Sequence, residues 1–182
     1  MFKYILTYPD LDQNDVYKQH QQLTALFTNS TRIRFRVDPG NEVTVHSDKP
    51  PVESITCKTS ILKDYPMGTI IKFRVRANVE KRKFVKGGKG NRVGITDPNQ
   101  VAEWFKKQAD LYGFSIENVI NVSSSYYLHG VKKNIFSICA VDFEGILKVL
   151  DADKFKKAYE NGIGSSKGFG FGLLLADYVF QS

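Results

Sequence analysis

Gly162-Ile163-Gly164-Ser165-Ser166-Lys167-Gly168-Phe169-Gly170-Phe171-Gly172-Leu173-Leu174-Leu175 is the stretch on which the reading of this chain turns. Five of the 14 glycines fall within eleven residues, with one lysine and no acid among them. Glycine permits backbone angles closed to other residues and close approach of a second chain, so the run suits a loop lying against phosphates. Beside a plain structural turn, it admits several readings. A nucleotide-binding loop follows a strand and opens a helix, which sets the helix N-terminus at the anion. Here the order is reversed, with a helix expected over Asp151–Glu160 and a strand over Phe171–Phe180, and the Walker spacing is absent. The RNA-recognition signature runs basic residue, Gly, aromatic, small residue, Phe, and Lys167-Gly168-Phe169-Gly170-Phe171 matches it. That motif belongs on an inner strand with a helix and another strand still to come, yet only eight residues follow Leu174. The local chemistry fits RNA; the position does not fit that module.

The bulk properties narrow the partner. A chain of 182 residues holds one large domain or two small ones. With 42% hydrophobic and 25% charged residues it has the make-up of an ordinary soluble protein with a buried core. No apolar run approaches the roughly 18 residues of a membrane span, and Met1–Thr7 is too short before Pro9-Asp10 for a signal peptide. Cys57 and Cys139 make neither a disulfide framework nor a metal site. The expectation is a cytoplasmic protein with no membrane association, no metal and no small-molecule cofactor. Lys plus Arg total 26 against 19 Asp plus Glu, a net +7 that suits a polyanionic partner.

Taken in order, Phe2–Tyr8 reads as a strand, and Asp12 or Asn14 as the cap of a helix running to about Phe27. Val16, Leu23, Leu26 and Phe27 form its apolar face, and Tyr17, His20 and Thr24 share one flank. Thr31–Val37 alternates three arginines with apolar residues, Asp38-Pro39-Gly40-Asn41 is a turn, and Glu42–His46 returns as a hairpin partner. A second helix in Ser47–Lys63 is left open. Gly68–Val79 repeats the basic face with Lys72, Arg74 and Arg76, and Lys81–Arg92 carries six basic residues and no acid, a flexible loop or mobile hairpin. Pro98–Tyr112 is a helix capped by Asp97 and ended by Gly113, burying Val101, Trp104, Phe105 and Leu111. Val119–Leu128 and Lys133–Phe143 read as strands turning at His129-Gly130, and a last helix spans about Ala152–Tyr159. This order predicts an α+β fold of tandem ferredoxin-like (RRM-like) βαββαβ domains, over residues 1–80 and 93–182, with 81–92 as basic loop or linker.

The first of these helices carries a second signal. Asp15-Val16-Tyr17-Lys18-Gln19-His20-Gln21-Gln22-Leu23 places a phenol and an imidazole on one flank. This segment, Phe73-Arg74-Val75-Arg76-Ala77-Asn78, Phe143-Glu144-Gly145-Ile146-Leu147 and the loop from Gly162 resemble, in the same order, the motifs of the CasE family. CasE proteins are the endoribonucleases that process CRISPR repeat RNA in type I-E systems. The resemblance spans nearly the whole chain and implies that Tyr17 and His20 are catalytic. It further implies that Arg74, Arg76, Lys81, Arg82, Lys83, Lys86, Lys89 and Arg92 run along the phosphates of a repeat hairpin. Gly162, Gly164, Ser165, Ser166, Lys167 and Gly168 would then close on backbone near the cut. The chain differs from the family pattern in a compressed segment between Phe27 and Arg32, where Thr31 or Arg32 is a candidate assistant, and in Ser165-Ser166, which replaces a more basic pair.

The implied reaction needs a proton removed from a ribose 2′-hydroxyl and one delivered to the leaving 5′-oxygen, which a histidine can move. A cation stabilises the charge that builds on phosphate. The implied products are a 2′,3′-cyclic phosphate (or 3′-phosphate) and a 5′-hydroxyl, without a metal. The implied partners are the repeat RNA and the other subunits of a Cascade-type complex. Lys18 is a weaker candidate, and His46 and His129 read as structural or solvent-facing. Two other readings are weighed against this one: a non-catalytic RNA-hairpin-binding subunit of the same fold, and a non-RNA ferredoxin-like regulatory or assembly module.

Overall fold

The computed structural model describes residues 1–52, 55–85 and 87–178. Its first unit comprises β1 (Phe2–Thr7), α1 (Val16–Leu26), β2 (Ile33–Asp38), β3 (Glu42–Ser47) and β4 (Cys57–Ile61). These strands form an antiparallel sheet ordered β2-β3-β1-β4, the ferredoxin-like order. Tyr4, Leu6, Phe35, Val43 and Val45 alternate inward from the strands and meet Leu23 and Leu26 of α1 and its C-cap residue Phe27. The helix left open in Ser47–Lys63 does not form among the described residues; β4 occupies part of that span.

The second unit comprises β5 (Ile70–Asn78), β6 (Glu80–Val85), β7 (Gly88–Gly94), α2 (Pro98–Tyr112), β8 (Phe114–Val122), β9 (Tyr126–Val131), β10 (Ile135–Val149), α3 (Ala152–Asn161) and β11 (Leu175–Tyr178). Its sheet runs β11-β5-β10-β8, and β9 pairs with the first half of β10. The same ferredoxin-like order thus recurs, with β6 and β7 as a separate hairpin between β5 and α2. Sheet membership assigns β5 to this unit, as its first strand. The division we propose therefore falls between β4 and β5 rather than at residue 80. The described residues of 81–92 belong to the two-stranded ribbon in which Glu80–Val85 pairs with Gly88–Gly94. The core centres on Phe105, stacked on Phe143 with ring centroids 4.2 Å apart, and on Phe73 at 5.6 Å.

Three local expectations change. The hairpin turn lies between Val131 and Ile135, and His129 and Gly130 sit within β9. Gly130 serves packing there: a methyl on it would meet the Phe136 ring at 2.5 Å. Leu111 is 61% exposed, and Ala109 takes the inward position beside Val101 and Phe105. The last strand starts at Leu175, because Phe171–Leu174 run as buried, irregular chain.

The two units join through a small apolar cluster and a polar seam. Val16 of α1 packs with Ile138, Ala140 and Phe171. The arginines of β2 face this seam. Arg36 is buried and pairs with Asp38 at 2.8 Å and Asp142 at 3.1 Å. Arg34 donates through Nε to Asn161 O at 2.8 Å.

Candidate active site

The N-terminus of α1 is built by two aspartates. Asp12 Oδ1 accepts from the backbone N–H groups of Asn14 and Asp15, and Asp15 caps the helix by accepting from Tyr17 N and Lys18 N. Asp15 Oδ1 also accepts from Val131 N of β9 at 3.3 Å, which ties the helix to the second unit. The cap is thus Asp15, with Asp12 forming the turn that leads into it. Asp12 is held below the usual carboxylate range chiefly by the Asn14 N–H.

One turn apart on this helix, the Tyr17 and His20 rings have centroids separated by 6.4 Å. The glycine-rich loop comes down onto both. Phe169 meets His20 edge-on at 5.5 Å and Tyr17 at 6.4 Å, and a methyl on Gly168 would lie 3.8 Å from His20 Nδ1 and Cε1. Thr24 Oγ1 lies 3.4 Å from His20 Nδ1. Residues from opposite ends of the chain thus form one half-buried site.

The loop is locked at its neck. Ile163 N donates to Gly172 O at 2.8 Å, and Gly172 N donates to Arg76 O at 2.7 Å. Gly162 (φ 74°) and Gly172 (φ 77°) both have left-handed angles, and a methyl on Gly172 would lie 2.1 Å from Ile163 O. No side chain fits that closure. Asn78 Nδ2 donates to the hydroxyls of Ser165 and Ser166, and Ser165 Oγ donates to Glu80. Lys167 turns inward, its Nζ donating to Gly162 O at 2.6 Å and lying 5.8 Å from the Tyr112 ring centroid. Burial pushes its ammonium pKa down, and Arg34 and Arg32 add repulsion.

The basic residues expected to bind RNA divide. Gly164 and Ser165 line a cleft of about 330 Å³ with Lys81, Arg82 and Arg92. Lys81 donates to Gln100, Arg82 to Gly90 O and Arg92 to Glu80, while Lys83 stands exposed. Lys86 and the side chain of Lys89 lie outside the described residues. Arg74 is exposed on the open face of the second sheet, beside the Lys72–Glu144 ion pair. Arg76 lies in the seam, pairing with Asp142 at 3.2 Å and donating to Val37 O at 3.1 Å. Tyr126 donates to the same Asp142 carboxylate; burial, then that bond, pushes its phenol up to about 12.

Other candidates are engaged elsewhere. Lys18 pairs with Asp12, Thr31 donates to Asp48, and Arg32 donates to Asn161. His46 is buried beneath Tyr159, and His129 Nδ1 lies 2.9 Å from Ser137 Oγ. Three residues escaped the sequence reading. Lys132 sets its Nζ 5.8 Å from the Tyr17 ring centroid, Phe136 backs Phe169 at 5.4 Å, and Asn78 holds both serines. Placing the hairpin turn at Lys132-Lys133-Asn134 would have exposed the first of these as a basic tip.

The arrangement offers a proton-moving imidazole, a phenol and an adjacent cation, under a backbone loop with little side-chain bulk. In comparisons with known proteins, the CRISPR associated protein family matches residues 7–177. A CRISPR-associated endoribonuclease, Cse3 of Thermus thermophilus, is 27% identical over 198 aligned positions covering 90% of each chain. The structure of Thermus thermophilus Cse3 bound to an RNA representing a pre-cleavage complex superposes with a TM-score of 0.82 at 21% identity, over 97% of this chain and 98% of that one. Cas6e of Escherichia coli K-12 superposes at 0.77 with 26% identity, over 98% and 100%. A chain of the E. coli Cascade structure bound to a PAM-containing double-stranded DNA target superposes at 0.65 with 19% identity, over 98% and 100%.

Proposed function

The chain belongs to the CRISPR associated protein family, and from that premise we propose that it is an endoribonuclease that processes CRISPR repeat RNA as a subunit of a Cascade-type complex. The relatives support this reading by what they are: a CRISPR-associated endoribonuclease, a chain of the same fold bound to RNA before cleavage, and a chain within Cascade. The single observation that carries it to particular residues is the seating of Gly168 and Phe169 against Tyr17 and His20.

The finer chemistry we propose is metal-independent transesterification. A base takes the proton of the ribose 2′-hydroxyl, O2′ forms a bond to the adjacent phosphorus, and the bond from phosphorus to O5′ breaks. The departing O5′ receives a proton. The products are a 2′,3′-cyclic phosphate and a 5′-hydroxyl. His20 moves a proton, Tyr17 holds the ribose or bonds the developing charge, and Lys132 stabilises charge on the phosphate. The loop from Gly162 to Gly172 brings backbone close to the scissile nucleotide. Arg74, Lys83 and the outer residues of the β6–β7 hairpin attract the stem.

The test is cleavage of the host's own repeat RNA in EDTA. Wild type should make one cut beneath the hairpin. His20→Ala should lose about 10²- to 10⁴-fold in single-turnover rate while holding RNA as tightly as wild type. Undiminished cutting by His20→Ala would remove His20 from the chemistry, and loss of wild-type cutting in EDTA would remove the metal-free route. Tight binding without any cut would favour a non-catalytic hairpin-binding subunit.

A further inference from the structure

We propose that the cleft between the root of the β6–β7 hairpin and α2 is a subsite for one unpaired nucleotide of the RNA, read by Trp104, Gln108 and Tyr112. The inference rests on the RNA-processing function above and adds to it a place where the strand is read outside the stem. Three observations carry it. The cleft has a volume of about 330 Å³, at the small end of the roughly 300–1,000 Å³ common for small-ligand sites. Such a space has room for a nucleobase. Its α2 wall is lined by Trp104, Gln108 and Tyr112; the indole also stacks on Phe143 at 6.4 Å, and Lys167 Nζ lies 5.8 Å from the Tyr112 ring centroid. Unstacked bases are recognised in this way, by aromatic faces and by hydrogen bonds to their edges. Arg82 and Arg92 stand on the hairpin side, where a phosphate would enter.

The third observation is continuity. A neighbouring cleft of about 260 Å³ shares the walls Asn78, Glu80 and Arg92 with this one and is also lined by Phe169. Phe169 is the ring that touches His20. A strand leaving the cut and passing Phe169 therefore meets the Asn78–Arg92 wall and then Trp104. Gly164 allows this path to stay narrow: it backs onto the indole, where a methyl would lie 3.3 Å from Trp104 Cη2. The one carboxylate in the cleft, Glu80, is already engaged by Arg92 and the Ser165 hydroxyl, so it does not leave free negative charge facing the strand.

Trp104 is the only tryptophan in the chain, so its fluorescence reports on this cleft in the intact protein. Two repeat RNAs, both 2′-deoxy at the mapped cut, are titrated: one a blunt hairpin, the other extended by its natural unpaired nucleotides. Binding is read independently from the anisotropy of a label on the RNA. The extended RNA is expected to quench Trp104 and to bind more tightly than the blunt hairpin. Gln108→Ala, on a half-exposed helix position, is expected to weaken the extended RNA about fivefold and leave the blunt hairpin unchanged. Equal affinities for the two RNAs with unaltered Trp104 emission would overturn the subsite and leave the RNA function standing. Absence of any anisotropy change would overturn that function, and the subsite with it.

Discussion

In the loop from Gly162 to Gly172 the single cation is folded inward onto Gly162 O, and both serines are held by Asn78. In the hairpin from Glu80 to Gly94 the arrangement is opposite: Lys83 stands in solvent and Phe84 is 94% exposed. Both regions are rich in glycine and carry lysine. One uses its lysine to hold a backbone shape, and the other holds Lys83 out in solvent as charge. Desolvating an ammonium is costly unless it finds a partner, so a half-buried lysine bonded to a carbonyl serves structure before it serves a ligand. An exposed lysine on a two-stranded ribbon has no such anchor and contributes through long-range attraction.

This difference can be broken at its strongest point first. Gly172→Ala should cost about 3 kcal/mol, from left-handed strain and the collision with Ile163 O, and should abolish most cleavage. Urea unfolding and single-turnover cleavage measure both. A variant as stable and active as wild type would show that the neck does not set the loop.

The next effect comes from His46, whose Nδ1 lies 3.2 Å from Tyr159 O on the helix feeding the loop. Burial lowers its pKa to about 4. The unfolded chain, near the ordinary value of about 6.5, therefore takes up a proton first as pH falls. Stability is fully present above about pH 6.5 and is lost on acidification, by about 2 kcal/mol between pH 7 and pH 5. Asp12, Asp48 and Asp151, all held below their ordinary values, titrate beneath that window. Urea midpoints that do not move between pH 7 and 5 would contradict a neutral, buried His46.

Lys167→Met sharpens the contrast directly. Losing the bond to Gly162 O and the cation beside Tyr112 should cost about 1 kcal/mol, with the salt dependence of RNA binding unchanged. A fall of about 1 in the slope of log K against log salt would instead make Lys167 a phosphate ligand. Lys83→Ala should do the reverse at the smallest stability cost, within about 0.5 kcal/mol of wild type, while lowering that slope by about 0.7–0.9.

Much of this was legible in the residues. α2 begins and ends where Asp97 and Gly113 predict, with Asp97 accepting from Gln100 N and Gly113 in the left-handed region. The ferredoxin-like repeat follows from element order, and Tyr17 and His20 are neighbours through helix geometry alone. The glycine spacing also announced a loop that no side chains could build. Less legible was which charges are free. Arg34, Arg36 and Arg76 alternate with apolar residues as surface cations would, yet all three are spent in the seam between units. Asp142, 66 residues from Arg76, decides the fate of two of them. Gly130 looked like a turn because the ring that needs its missing side chain, Phe136, reaches it only across the strand pair.

The sequence by itself determined the helices, most strands, the tandem fold and the placing of Tyr17 and His20 on one helix flank, because caps, periodicity and glycine angles act over a few residues. Only the tertiary structure decided that β5 opens the second sheet, that Lys167 faces inward, and that Lys132 and Phe169 converge on α1. Those outcomes depend on partners far apart in the chain. Local pattern fixes what a residue can do, and the packing of distant segments selects what it does.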